Sequence, residues 1–179
     1  MKKILSAILA LCMIVSVTAC SSENESSVPE EVKGSENRTM REMTTQELIE
    51  DMGLGINLGN TFESCGNWIN KSSVTNYETA WGSPVITEQM IKGYKDCGFG
   101  VMRLPVAWSN MMDKETYTIN PDYMARVKEV LNWALDSDLY VILNIHYDNG
   151  WFSDFADDKK RDECFKKYEA IWKQLCEEF

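Results

Sequence analysis

Histidine is nearly missing from this sequence, since His146 is the single imidazole in 179 residues. A zinc site built on several imidazoles is excluded, and no Cys-x-x-Cys pair offers thiolates instead, so no metal is expected. Basic residues are scarce as well. Lys and Arg number 18 against 28 Asp and Glu, a formal net charge of -10 that repels nucleic acid and suits a neutral or cationic partner. There is no Gly-x-Gly-x-x-Gly turn and no Walker loop, which leaves nucleotide binding without a motif and no cofactor expected. The apolar run Ile4 to Val17 falls short of the roughly 20 residues a membrane span needs. What is present is a core: 44% hydrophobic and 11% aromatic residues suffice for one folded domain.

The first 43 residues read as an export segment and a linker. Lys2 and Lys3 precede the apolar run, as in a signal peptide over residues 1–19. Val17-Thr18-Ala19-Cys20 resembles the lipobox of bacterial lipoproteins, which implies cleavage before Cys20, lipidation of its thiol and an extracellular chain held at the bacterial membrane by a lipid anchor. Residues 20–43, rich in Ser, Glu and Asn, carry too little apolar surface to offset the entropy of ordering and read as a flexible spacer. Beyond them, Cys65, Cys97, Cys164 and Cys176 allow up to two disulfides, which spacing alone does not assign.

From Thr44 onward strand and helix signals alternate. Thr44 and Glu47 make a capping box for a short helix ended by Gly53, and Leu54 to Leu58 reads as a first strand. Residues 59–84 are polar and aromatic, the mark of an elaborated functional loop. Thr87 caps a second helix that Gly98 stops, and Val101 to Leu104 is a second strand. Asn120 and Pro121 open a third helix, followed by the apolar strand Tyr140 to Ile145 and a last helix with Phe165, Tyr168, Trp172, Leu175 and Phe179 at helical spacing.

Three strand-helix units in succession imply an α/β fold with a parallel sheet, open or closed into a barrel. Polar groups decide between them. Asn57 and Asn60 follow the first strand, Arg103 and Trp108 the second, and His146, Tyr147, Asp148 and Trp151 the third. In a barrel these C-terminal ends share one face, where active sites of that fold are built.

The same segments resemble glycoside hydrolase family 5, and within it the bacterial endo-β-1,4-glucanases. They are Gly55-Ile56-Asn57-Leu58-Gly59-Asn60-Thr61, Glu78-Thr79-Ala80-Trp81-Gly82-Ser83-Pro84, Gly98 to Trp108, and Tyr140 to Asp148. Residues 44–179 then stand as the first three strand-helix units of a (β/α)8 TIM barrel, incomplete here. The resemblance implies retaining, endo-acting hydrolysis of a β-linked polysaccharide without a cofactor. Arg103 would hold the nucleophilic carboxylate ionised, and His146 would help bind the sugar beside the cleaved bond. Many relatives carry a second histidine where this chain has Tyr147, and Ile56 replaces a usual tryptophan.

Substrate contacts are expected from Asn57, Asn60, Trp108, Tyr147 and Trp151, with Trp68 and Trp81 assigned to packing. A retaining glycosidase also needs two carboxylates roughly 5 Å apart, which the family places after strands four and seven. Glu63, Asp148 and Asp154 do not match them and read as solvated loop charges or sugar contacts, so the chain as given is expected to be an inactive fragment. The competing reading is a non-catalytic, lipid-anchored glycan-binding protein.

Overall fold

The structure, a computed structural model, describes residues 41–179. The signal peptide, Cys20 and the spacer up to residue 40 lie outside the described residues.

Helix α1, Thr45–Met52, begins where the sequence says it should. The Thr44 hydroxyl accepts from the Glu47 amide at 3.2 Å, and the Glu47 carboxylate accepts from the Thr44 amide at 2.7 Å. Strand β1, Gly55–Asn57, is shorter than the run Leu54 to Leu58, because only three residues find ladder partners. After it comes the long loop, interrupted by the five-residue helix α2, Thr75–Thr79. Helix α3, Glu88–Asp96, is capped by the Thr87 hydroxyl, and Gly98 follows at φ +89°, a left-handed stop that a side chain would strain.

Strand β2, Val101–Val106, runs two residues past Leu104 and includes Pro105. A proline inside a central strand normally deletes a ladder bond. Here it does not, because odd-numbered residues of β2 direct their backbone toward β1, as the Leu58 amide donating to the Arg103 carbonyl at 2.9 Å shows. β1 ends opposite Arg103, so the side of Pro105 has no strand to bond. Helix α4, Pro121–Asp136, uses Asn120 as cap, its Oδ1 accepting from the amides of Asp122 and Tyr123. Strand β3, Tyr140–Ile145, and helix α5, Arg161–Glu178, complete the order.

The three strands form one parallel sheet in the order β1-β2-β3. Met102, Leu104 and Val106 point to one face and are fully buried, packed with Ile91 of α3 and Val127, Val130 and Leu131 of α4. Arg103 and Pro105 point to the other. This is the α/β architecture of the first three units of a TIM barrel, with the inner face carrying Asn57, Arg103 and Ile142 in register. Along α5 the buried residues are Cys164, Ile171 and Leu175, while Phe165 and Tyr168 are turned outward to an aromatic cluster with Phe155. Among the described residues Cys65, Cys97, Cys164 and Cys176 are free thiols. Among the described residues no helix is long and apolar enough to cross a membrane.

Candidate active site at the strand ends

Register brings the polar residues together. Asn57 lies opposite Arg103 on the neighbouring strand, and His146 follows β3 with the same side-chain parity, so all three project from the inner face. Arg103 sits in mid-strand, but its length carries the guanidinium to the C-terminal edge. There Nη1 donates to Asn57 Oδ1 at 3.1 Å, and Nη2 lies 3.0 Å from His146 Nδ1. A guanidinium can only donate, so Nδ1 accepts and the imidazole proton resides on Nε2. Both partners of Arg103 among the described residues are neutral, and its positive charge is left without an anion at the mouth of the sheet.

The loop after β1 is held from beneath. Tyr123, fully buried, donates to the Phe62 carbonyl at 2.9 Å, and Asn110 donates through Nδ2 to the Ser64 carbonyl at 2.8 Å. Glu63 is buried, not solvated: its carboxylate accepts from the amide of Asn60 and, at 2.9 Å, from that of Thr61. That grip holds Asn60 at φ +58°, so its local role is turn chemistry with an exposed side chain above it. Glu78 is buried too, its carboxylate accepting from Arg126 Nε at 2.8 Å, Arg126 Nη2 at 3.0 Å and the Ile86 amide at 2.8 Å.

Beyond β3 the chain turns sharply. The Gly150 amide donates to the Tyr147 carbonyl at 2.7 Å, with Asp148 and Asn149 between them at φ +51° and +60°. Asp and Asn tolerate that left-handed pair better than other side chains. The Asp148 carboxylate is fully buried and accepts from the Ser109 hydroxyl at 2.7 Å, the Ser109 amide at 3.1 Å and Trp151 Nε1 at 2.7 Å. Burial pushes its pKa above the ordinary carboxylate value, against those hydrogen bonds and the nearby Lys167, which lower it. Asp148 is therefore neither a solvated charge nor a surface contact. Asp154 does stand at the surface, paired with Lys160 at 2.9 Å.

The tryptophans are distributed differently from the sequence reading. Trp108 has 0% exposure: its ring packs edge-on against Tyr123 and its Nε1 donates to the Asn144 carbonyl at 3.3 Å, so it braces β2 to β3 and cannot stack on a sugar. Trp151 is half-buried, stacked on Phe152 with a centroid distance of 4.1 Å, and has Lys167 Nζ 4.3 Å from its ring centroid, so packing and a cation already engage its ring. Trp68 and Trp81, assigned to packing, are instead 67% and 39% exposed. Trp81 lies near the end of β1, because the Ser83 hydroxyl donates to the Gly59 carbonyl at 3.4 Å. Tyr147 is 61% exposed beside His146. Among the described residues no group of three His, Cys, Asp or Glu side chains is placed to hold a metal ion.

Comparison with known proteins identifies the family. The cellulase family, glycosyl hydrolase family 5, matches residues 62–179. A xyloglucan-specific endo-β-1,4-glucanase of Bacteroides ovatus is 39% identical over 147 residues, covering 80% of this chain and 28% of the relative. Endoglucanase A of Ruminococcus albus is 38% identical over 141 residues, covering 78% of this chain and 37% of the relative. The solved structure of a broad-specificity endoglucanase from Clostridium longisporum superposes with a TM-score of 0.69 at 35% identity, over 79% of this chain and 39% of its own. This chain thus spans well under half the length of the relatives it matches. The family match over residues 62–179 and the identity to these relatives show that the chain belongs to the cellulase family, glycosyl hydrolase family 5.

Proposed function

We propose that this chain forms the sugar-binding, charge-positioning part of a retaining, endo-acting β-1,4-glucanase that works outside the cell, held at the membrane through Cys20. One observation carries the reading. The Arg103 guanidinium is placed at the strand-end edge by two neutral partners, so its charge is reserved for an anion that the first three strands do not bring. In retaining glycosidases such an anion is the nucleophile, whose attack on the anomeric carbon requires the ionised carboxylate. Arg103 would lower that carboxylate's pKa by charge-assisted hydrogen bonding, and His146 Nε2–H, directed by its bond to Arg103, would donate to a sugar hydroxyl. Asn57 fixes the guanidinium plane, and Asn60 offers an exposed amide at the rim.

The relatives named above include xyloglucan-specific and broad-specificity enzymes, which motivates assaying several glucans. The complete protein is expected to release reducing sugar from carboxymethyl cellulose, xyloglucan or mixed-linkage glucan. The first product seen by proton NMR should keep the β-anomeric configuration. Residues 41–179 alone bring no carboxylate against Arg103 and should bind without cleaving. Tight glycan binding by the complete protein with no hydrolysis of any of these polymers would replace the proposal with a non-catalytic glycan-binding role.

A further inference from the structure

We propose that the exposed ring of Tyr147, which directly follows His146 and lies beside Gly150, is a sugar-stacking platform and sets an apolar preference at its subsite. This rests on the glycan reading above. A Cβ added at Gly150 would lie 3.3 Å from Tyr147 Cε2, 3.5 Å from the hydroxyl oxygen and 3.6 Å from Cζ. The hydroxyl end of the ring thus lies close to where a side chain at position 150 would begin, and Gly150 at φ +73° has a second reason to be glycine. The remainder of the residue faces solvent, at 61% exposure.

The support under the ring is anchored well below it. The turn from Tyr147 to Gly150 is closed by one backbone hydrogen bond, and its Asp148 carboxylate is tied to Ser109 after β2 and to Trp151. A ring seated in this way loses little freedom when a ligand covers its open face, which favours binding by preorganisation. Of the two tryptophans the sequence assigned to sugar contact, Trp108 is fully buried and Trp151 carries Phe152 and Lys167 against its ring. The flat C–H face of a β-linked glucose is uncharged, as befits a chain of net charge -10, and it matches a phenol ring in size. A histidine at this position would instead present a hydrogen-bonding edge.

Titration of the full chain with cellotriose to cellohexaose by calorimetry tests the platform. Tyr147→Phe should keep affinity within about twofold, whereas Tyr147→Ala and Gly150→Ala should each weaken it about fivefold, the scale of one aromatic contact. The double variant should be no weaker than Tyr147→Ala, since both changes remove the same seated ring. A Phe variant as weak as Ala would show that the hydroxyl does the binding, and an unchanged Ala variant would show that Tyr147 touches no sugar. Either result overturns the platform while leaving the glycan reading standing. An unsubstituted chain that binds no oligosaccharide overturns both.

Discussion

His146 accepts a hydrogen bond from Arg103 through Nδ1, at 3.0 Å from Nη2, and this contact fixes the tautomer of the imidazole and, together with Asn57 on Nη1, the plane of the guanidinium. Arg103→Lys should undo both. An ammonium is a point donor that cannot span Asn57 and His146 together, so turnover of the complete enzyme on a soluble β-glucan is expected to fall at least about tenfold, roughly 1.4 kcal/mol of transition-state stabilisation. KM should move much less. A kcat within a few-fold of the parent would remove Arg103 from the catalytic machinery.

Asp148 predicts a pH dependence. Burial raises its folded pKa above the ordinary value, so the folded state holds a proton that the unfolded chain has already released. The associated stabilisation is fully present below the unfolded value and is lost as pH rises through the folded one. Relative to Asp148→Asn, which does not titrate, the parent should therefore gain melting temperature on acidification from about pH 7 toward pH 3, levelling off below the ordinary carboxylate range. A constant difference between the two melting curves across that range would contradict the assignment.

Glu78 is fully buried against Arg126, which is partly exposed and also pairs with Glu129 at the surface. Glu78→Gln presents an amide N–H where Ile86 N–H and the guanidinium both donate, and the cost should be about 3 kcal/mol, the order expected for breaking a buried pair. Urea unfolding measures it. A loss under about 1 kcal/mol would mean that the pair is far more hydrated than its burial implies.

Anchoring turns on one thiol. If Cys20 carries the lipid, Cys20→Ala should leave the protein in the soluble fraction and free of fatty-acid label. Membrane retention of the variant would place the attachment elsewhere.

Local signals were legible in the sequence and tertiary ones were not. Thr44 with Glu47, Thr87, and Asn120 with Pro121 all cap the helices they were read to cap, because a cap satisfies amides within three residues of itself. The parallel sheet and the gathering of Asn57, Arg103 and His146 also followed, since strand parity is periodic. Trp108 is buried and Trp68 exposed, the reverse of the expectation, because the exposure of an indole depends on what other segments bring to it, here Tyr123 from α4 against Trp108. Glu63 and Asp148 looked solvated because their donors are assembled by folding. Those of Asp148 include Ser109, 39 residues away in sequence. The seat of Tyr147 had one available sign, the run Asp148-Asn149-Gly150, whose residue types favour a left-handed turn.

Gly100 gives the molecule two distinct poles. A Cβ there would fall 2.0 Å from the Met52 carbonyl oxygen, so the end of α1 is pressed against the chain just before β2. Arg41 joins the same end through Asp51, at 2.9 Å, and Asp51 in turn accepts from the Tyr140 hydroxyl at the start of β3. The described chain therefore begins at the base of the sheet, while Arg103, His146 and Tyr147 open at its top. If the protein is tethered through Cys20, as proposed, the tether reaches the described chain at the pole opposite Arg103 and His146.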